Sequence, residues 1–259
     1  MSKNHISYSE FKMWSECAWK HRLKYVDNIS SFSGNEYTAF GTAIHDVCEK
    51  SVLGALSGPR HAQLFFENAF NKQLEKLSED HEKKDSLIKD MIIQGNNLIP
   101  EIIPNLKKYF GKFKVISAEE KLYEPIANQE KLNFKGFVDL VLQTEDGKYH
   151  IIDWKTCTWG WDARKKTNKL IVYQLILYKY YFAKKYGVEL KDIETHFALL
   201  KRTAKKNNVE FFKVTSGKKR TENALKALDT SLYYINRKFA IKNRLSCKYC
   251  EFYKTEHCR

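Results

Sequence analysis

Two apolar, strand-like runs joined by a tight turn, each carrying one aspartate, constrain this chain more than any other feature. Gly136-Phe-Val-Asp139-Leu-Val-Leu-Gln143 leads through Glu145-Asp-Gly147 into Tyr149-His-Ile-Ile-Asp153-Trp154-Lys155-Thr156. Each half has the β-branched character of a buried strand, and Asp146-Gly147 falls where a hairpin turn is expected. A buried strand does not keep a carboxylate without cause, because an unpaired buried charge costs several kcal/mol. The period of two places Asp153 and Lys155 on one face. Two carboxylates and an ammonium meeting at the edge of a hairpin make a site for a divalent metal and a phosphate. The plainer reading, solvent-facing acids, is opposed by the apolar flanks.

A chain of 259 residues supports one sizeable core or two small domains at most. Its formal net charge of +14 and pI near 9.3 favour a polyanionic partner, nucleic acid first and an anionic membrane surface second. No apolar run approaches the roughly 20 residues that span a bilayer. The start, Met1-Ser-Lys-Asn-His-Ile6, lacks the apolar stretch of a secretory signal, so a cytoplasmic setting is expected. There, six cysteines read as metal ligands or idle thiols rather than a disulfide framework. Aromatics at 14% with only four prolines exclude a disordered chain.

The periodicities predict a helix over 8–26, with Ser7 and Glu10 as a capping box, and a second helix from near Ala39 after a polar loop at 28–37. A helical region at 60–110 is expected to break at Pro100 and Pro104, with a charged loop or helix end at 77–85. Strands follow at 114–127, 134–143 and 148–155, then a helix over 169–186. Strands at 193–201 and 209–215 and a helix at 220–242 lead into a cysteine-rich tail, 243–259. This order suggests an α/β core with an added helical layer, one domain over 1–259 with 60–110 as a helical insertion.

Other residues gather round the hairpin. Gly41-Thr-Ala-Ile-His45 offers close backbone packing and an imidazole ligand. Glu119 and Glu120 lie in the preceding strand; one should face the pocket, and alternation favours neither. Gln174 and Tyr178 stand four apart on one helix face. Trp154, Trp159 and Trp161, followed by Arg164, Lys165 and Lys166, combine stacking surfaces with positive charge, which suits single-stranded DNA. Cys247-Lys-Tyr-Cys250 can grip one metal centre, with Cys258 close behind and Cys17 near the start; His257 keeps zinc open as the alternative. Cys48 and Cys157 have no partners in this pattern.

Taken together and in order, Ile6-Ser-Tyr-Ser9, Cys17, Gly41–His45, an upstream glutamate, Gly136–Asp139, Ile152–Thr156 and Gln174-x-x-x-Tyr178 resemble the RecB-type branch of the PD-(D/E)xK nuclease superfamily. The resemblance covers nearly the whole chain. It implies a restriction-endonuclease-like core, a mixed central sheet flanked by helices. It also implies Mg²⁺ or Mn²⁺ held by Asp139, Asp153, the Trp154 carbonyl and His45, with Glu120 close by. Lys155 would orient the attacking water, and Gln174 and Tyr178 would position the strand. The branch that includes AddB and the four-cysteine CRISPR-associated nucleases implies a [4Fe–4S] cluster on Cys17, Cys247, Cys250 and Cys258, joining the two ends of the chain. The implied activity is a DNA exonuclease acting on single strands or ends, in recombination, repair or phage DNA metabolism of a bacterial or phage-infected cell. The rival readings are a non-catalytic DNA-end-binding subunit and an endonuclease specific for sequence or structure.

Overall fold

The computed structural model describes residues 4–29, 34–78, 81–129 and 131–259; parts of the expected 28–37 loop and 77–85 segment, at 30–33 and 79–80, lie outside the described residues. In chain order the elements are β1 (His5–Ser7), α1 (Tyr8–Glu16), α2 (Ala18–His21), α3 (Glu36–Val52), α4 (Pro59–Glu75), α5 (Asp85–Phe110), β2 (Phe113–Pro125), β3 (Asn133–Thr144), β4 (Tyr149–Cys157), α6 (Ala163–Thr167), α7 (Lys169–Tyr186), β5 (Ile193–Lys201), β6 (Val209–Val214) and α8 (Lys218–Asn236).

The strands form one mixed sheet in the order β1-β3-β4-β5-β6, with β2 on the other edge of β3. β2 runs antiparallel along all of β3. On its opposite edge β3 has two partners: antiparallel β4 over 140–143 and parallel β1 over 133–135. β3 and β4 therefore part company just where Asp139 and Asp153 begin. Beyond that point β4 continues beside parallel β5 as far as Cys157. β4 and β5 are joined through α6 and α7, the crossover that a parallel pair requires.

Each face of the sheet is covered by helices. On one, α1, α7 and α8 bury residues such as Phe11, Leu175, Phe182 and Leu228 against Val141, Ile151, Phe197 and Leu199. On the other, α3, α4 and α5 bury Phe40, Ile44, Phe66, Phe70 and Leu98 against Leu140, Ile152, Ala198 and Leu200. Each such side chain removed from water contributes about 1.5–3 kcal/mol. The result is a helix–sheet–helix sandwich, an α/β fold consistent with a restriction-endonuclease-like core.

Three expectations need correction. The helix over 8–26 is interrupted at Cys17, which is extended (φ −161°, ψ 109°) and closes α1 by donating its N–H to Met13. The break lets Cys17 face the tail. α3 starts at Glu36, not near Ala39, because Asn35 and Thr38 form a capping box ahead of it. α5 does not break at Pro100 and Pro104 but runs through both. The carbonyl of Asn96, which loses its partner to Pro100, accepts a hydrogen bond from Gln63 Nε2 at 2.8 Å. Among the described residues no helix is long and apolar enough to cross a membrane.

Candidate active site

The parting of β3 and β4 leaves a slot into which both helical layers reach. Asp153 and Lys155 share the face of β4 towards α7, and their carboxylate and ammonium are in direct contact. Asp153 is 1% exposed. Its other oxygen, Oδ1, accepts a hydrogen bond from Gln174 Nε2 at 2.7 Å, and the same amide lies 3.4 Å from the Tyr178 hydroxyl. Asp139, on the far side of the slot, accepts the Trp154 backbone N–H at 2.7 Å, which bridges the two strands where their own ladder has stopped. From α3, His45 Nδ1 approaches Asp139 Oδ2 to 3.6 Å.

The electrostatics follow from this crowding. Burial, and then the neighbouring Asp153 carboxylate, raise the Asp139 pKa well above the usual range. Burial lowers that of His45, with Asp153 acting in the opposite direction, so the imidazole keeps a free lone pair at neutral pH. Gly136 sets how closely α7 approaches: a Cβ there would lie 2.7 Å from the Tyr178 ring. Gly41 lets α3 lie against β4, its Cβ position 3.4 Å from Thr156 Oγ1.

Of the two glutamates, Glu119 faces the slot. It lines a cleft of about 790 Å³ with Gly41, His45, Asp46, Glu49 and Thr156. The pairs Ala118–Leu140 and Glu120–Val138 put Glu119 opposite Asp139. It holds a left-handed backbone at φ 51°, uncommon for any residue but glycine. Burial raises its pKa, followed by Glu49, Asp46 and Asp153. Glu120 does not join the group; its carboxylate is held by Lys185 and the Tyr186 hydroxyl in the last turn of α7. Asp46 and Glu49 were not singled out by sequence. Glu49 lies four residues after His45, the spacing that keeps two side chains on one helix face, and this signal was available.

The tryptophans do not cluster. Trp154 is buried in the opposite core beside Phe211, 1% exposed, so only its backbone serves the slot. Trp161 packs on Phe197 and Phe212, with the Lys165 ammonium 4.8 Å from its ring centre. Trp159 is 75% exposed. Lys166 pairs with Glu210, and Arg164 lies on α6 beside it. A groove of about 490 Å³ leads away from Lys155 and Gln174 past Tyr8, Lys12, Trp161 and Lys165.

Just past the end of α1, Cys17, Cys247, Cys250 and Cys258 all line one cavity of about 270 Å³, which shares Glu16 with that groove. The tail is bound there by Asn243 Nδ2 and Ser246 Oγ, both donating to the Glu16 carbonyl at 2.8 Å. Trp19 Nε1 donates to the His257 carbonyl at 3.0 Å, and the Asn243 N–H points at Cys17 Sγ at 3.4 Å. None of the six cysteines is in a disulfide; Cys48 is buried among the α3 core residues, and Cys157 ends β4.

Against known proteins, the family model of the PD-(D/E)XK nuclease superfamily matches residues 5–255. No curated protein matches significantly. Among solved structures, one named "Putative exonuclease" from Eubacterium rectale superposes with a TM-score of 0.61 at 13% identity, covering 96% of this chain and 86% of its own. The crystal structure of SSO0001 aligns over 97% of this chain and 85% of its own, at 13% identity and a TM-score of 0.45.

Proposed function

The chain belongs to the PD-(D/E)XK nuclease superfamily, and on that premise we propose that it is a metal-dependent deoxyribonuclease, an exonuclease acting on single-stranded DNA or DNA ends. The observation that carries this reading is the convergence of Asp139, Asp153, Lys155 and His45 on the slot between β3 and β4. A set of crowded carboxylates with an imidazole and the neighbouring Trp154 carbonyl suits Mg²⁺ or Mn²⁺, the latter tolerating the nitrogen better. A divalent cation also offsets the burial, and then the Asp153 charge, that push Asp139 upward. When bound, such a metal supplies Lewis-acid activation of water and stabilises the leaving oxygen.

The chain's own residues divide the remaining work. Asp139, Asp153, the Trp154 carbonyl and His45 would hold the cation, and Glu119 takes the position expected of Glu120. Gln174 fixes the Asp153 carboxylate and leaves its other oxygen to the slot. Lys155, paired with that carboxylate, orients the nucleophilic water and offsets charge growing on the phosphate. Tyr178 backs Gln174. Its hydroxyl stays protonated, because burial and then Asp153 raise its pKa. Lys12, Lys165 and Trp161 along the adjoining groove supply phosphate neutralisation and a stacking surface for a single strand, and Trp159, Arg164 and Lys166, nearby in sequence, are proposed to extend it.

The same reading places a [4Fe–4S] cluster on Cys17, Cys247, Cys250 and Cys258, in the RecB-like manner. It is supported by the four thiols bordering one cavity. His257, the alternative zinc ligand, packs its ring on Phe252 and meets Glu256 at 3.5 Å. A brown protein absorbing near 400 nm is expected, whereas a colourless one with stoichiometric zinc overturns the cluster. We read 1–259 as one nuclease domain with α4 and α5 as an added helical layer, working in the cytoplasm in recombination, repair or phage DNA metabolism. Retention of Asp139, Asp153 and Lys155 weighs against a non-catalytic end-binding subunit.

The test is digestion of end-labelled single- and double-stranded oligonucleotides and of a covalently closed circle, with Mg²⁺, Mn²⁺ or EDTA. Cleavage should need metal and a free end. Lys155→Ala and Asp153→Asn should lower it at least about hundredfold while DNA binding persists. Full activity of Lys155→Ala sinks the assignment; cutting of the closed circle makes the enzyme an endonuclease.

A further inference from the structure

His150, Glu194 and His196 meet at the other end of β4 and β5 from the catalytic carboxylates. In the parallel pairing His150 lies beside Glu194, and Ile152 beside His196. His150 precedes Asp153 by three residues, about 10 Å along the strand, so the two sites are separate. The three ligand atoms all lie within 4.8 Å of one another. His150 Nδ1 is 3.1 Å from His196 Nε2, and each is 3.9 Å from Glu194 Oε2. Both imidazoles are buried, 7% and 2% exposed, at the base of an open cavity of about 510 Å³ that Tyr109, Phe110 and Lys213 help to line.

The surrounding hydrogen bonds fix which atoms are free. The Thr144 hydroxyl donates to Asp146, leaving its oxygen to accept from His150 Nε2 at 2.9 Å. His150 therefore carries its proton on Nε2 and turns a bare Nδ1 towards His196. Glu194 spends Oε1 on Lys213, at 2.6 Å, and on Lys148, at 3.5 Å, so Oε2 is the oxygen left facing the imidazoles. An N–H···N bond between the two histidines accounts for their 3.1 Å contact but not for a carboxylate oxygen held equidistant from both. We propose that His150 Nδ1, His196 Nε2 and Glu194 Oε2 bind one divalent transition-metal ion of the zinc class, with water from the cavity completing the shell.

Tetrahedral ligands at about 2.1 Å from zinc stand roughly 3.4 Å apart, and the observed separations bracket that value within half an ångström. The Asp146–Thr144–His150 chain is the kind of outer support that orients a metal-bound imidazole. Burial lowers the pKa of both histidines, that of His196 to about 3 with His150 as the second cause, so both rings are neutral at neutral pH, and a metal at His196 Nε2 would leave that ring's proton on Nδ1. A hard cation gains little from two imidazoles, so Zn²⁺ and Ni²⁺ should bind and Mg²⁺ should not.

Zinc titrations of the protein as purified, and of its Glu194→Gln, His196→Gln and Asp153→Asn variants, decide the matter, read by metal stoichiometry and melting temperature. The unmodified protein should bind one more Zn²⁺ than Glu194→Gln or His196→Gln, and Asp153→Asn, altered at the other metal site, should retain this ion. At hundredfold excess over Kd the unmodified protein and Asp153→Asn should melt at least about 5 °C higher than without zinc. Cobalt at this site should show weak visible bands free of thiolate charge transfer, which separates it from the cysteines. Equal stoichiometry and an equal melting response in the Glu194→Gln and His196→Gln variants would overturn the proposal. If His196→Gln does not fold, Glu194→Gln, altered at a partly exposed side chain, decides alone.

Discussion

At the residue scale, the two adjacent glutamates of β2 show how one backbone angle redirects chemistry. Glu119, at φ 51°, turns its carboxylate into the cleft with His45, while Glu120 is tied down by Lys185. Glu119→Gln should therefore weaken metal-supported cleavage by tenfold or more, roughly the loss of one charge-assisted contact. Glu120→Gln should leave turnover near normal; equal effects in a side-by-side kinetic assay would refute the distinction. Gly136→Ala should force Tyr178 and Gln174 away from Asp153, at a cost of about 1–3 kcal/mol in stability together with lost activity; an unfolding curve alongside the cleavage assay checks both. Asp153, Lys155 and Gln174 were legible in the sequence because the strand period and helical spacing place them, and Asp139 because a carboxylate stands out in an apolar strand. Glu119 was not, because alternation assumes regular β geometry and the strand departs from it at that residue. Trp154 misled for the opposite reason: the period of two sends it to the face away from its neighbours Asp153 and Lys155.

At the element scale, side chains decide where helices begin and whether they survive their prolines. Gln63 of α4 replaces the donor missing at Pro100, a long-range contact that no local rule can foresee, so α5 was read as broken. β1, only three residues long, carries too little pattern to be seen as a strand. Glu36 ties the first turn of α3 to the start of α5, accepting from the Lys84 N–H at 3.1 Å and pairing with His81 at 3.0 Å. Burial acts upward on its pKa, but the backbone N–H groups of Glu36 and Lys84, with His81, outweigh it and hold the carboxyl below 4.5. A depressed carboxyl stabilises the fold above its unfolded pKa, and this contribution fades as pH falls through the lower folded value. Melting temperature should therefore drop with acid below about pH 4.5. Glu36→Gln should start about 1–3 kcal/mol less stable at neutral pH and lose less over that interval. Parallel acid profiles for the two proteins would refute the role.

At the scale of the whole molecule, the ends of the chain share one small cavity beyond α1, on the side of the sheet that Asp153 and Lys155 also face. Metal ligation by Cys17 and the three tail cysteines would close a loop of more than two hundred residues. Cys17→Ser should then cost roughly 4 kcal/mol or more, a fall of about 10 °C in melting temperature. An unchanged melting temperature in protein with full metal content would remove the clamp. The sandwich itself was readable from the order of strands and helices, because each element's apolar period names the layer it must face. The slot was not, since it depends on where one strand pair stops.

That stopping point has a mechanical corollary. β1 fills the space beside β3 that β4 vacates, so His5–Ser7 act as a shim holding a wedge ajar. Pulling the shim out would bare a row of backbone hydrogen-bonding groups along the middle of the sheet, and the quickest way to cover them is for the two aspartate-bearing strands to zip shut.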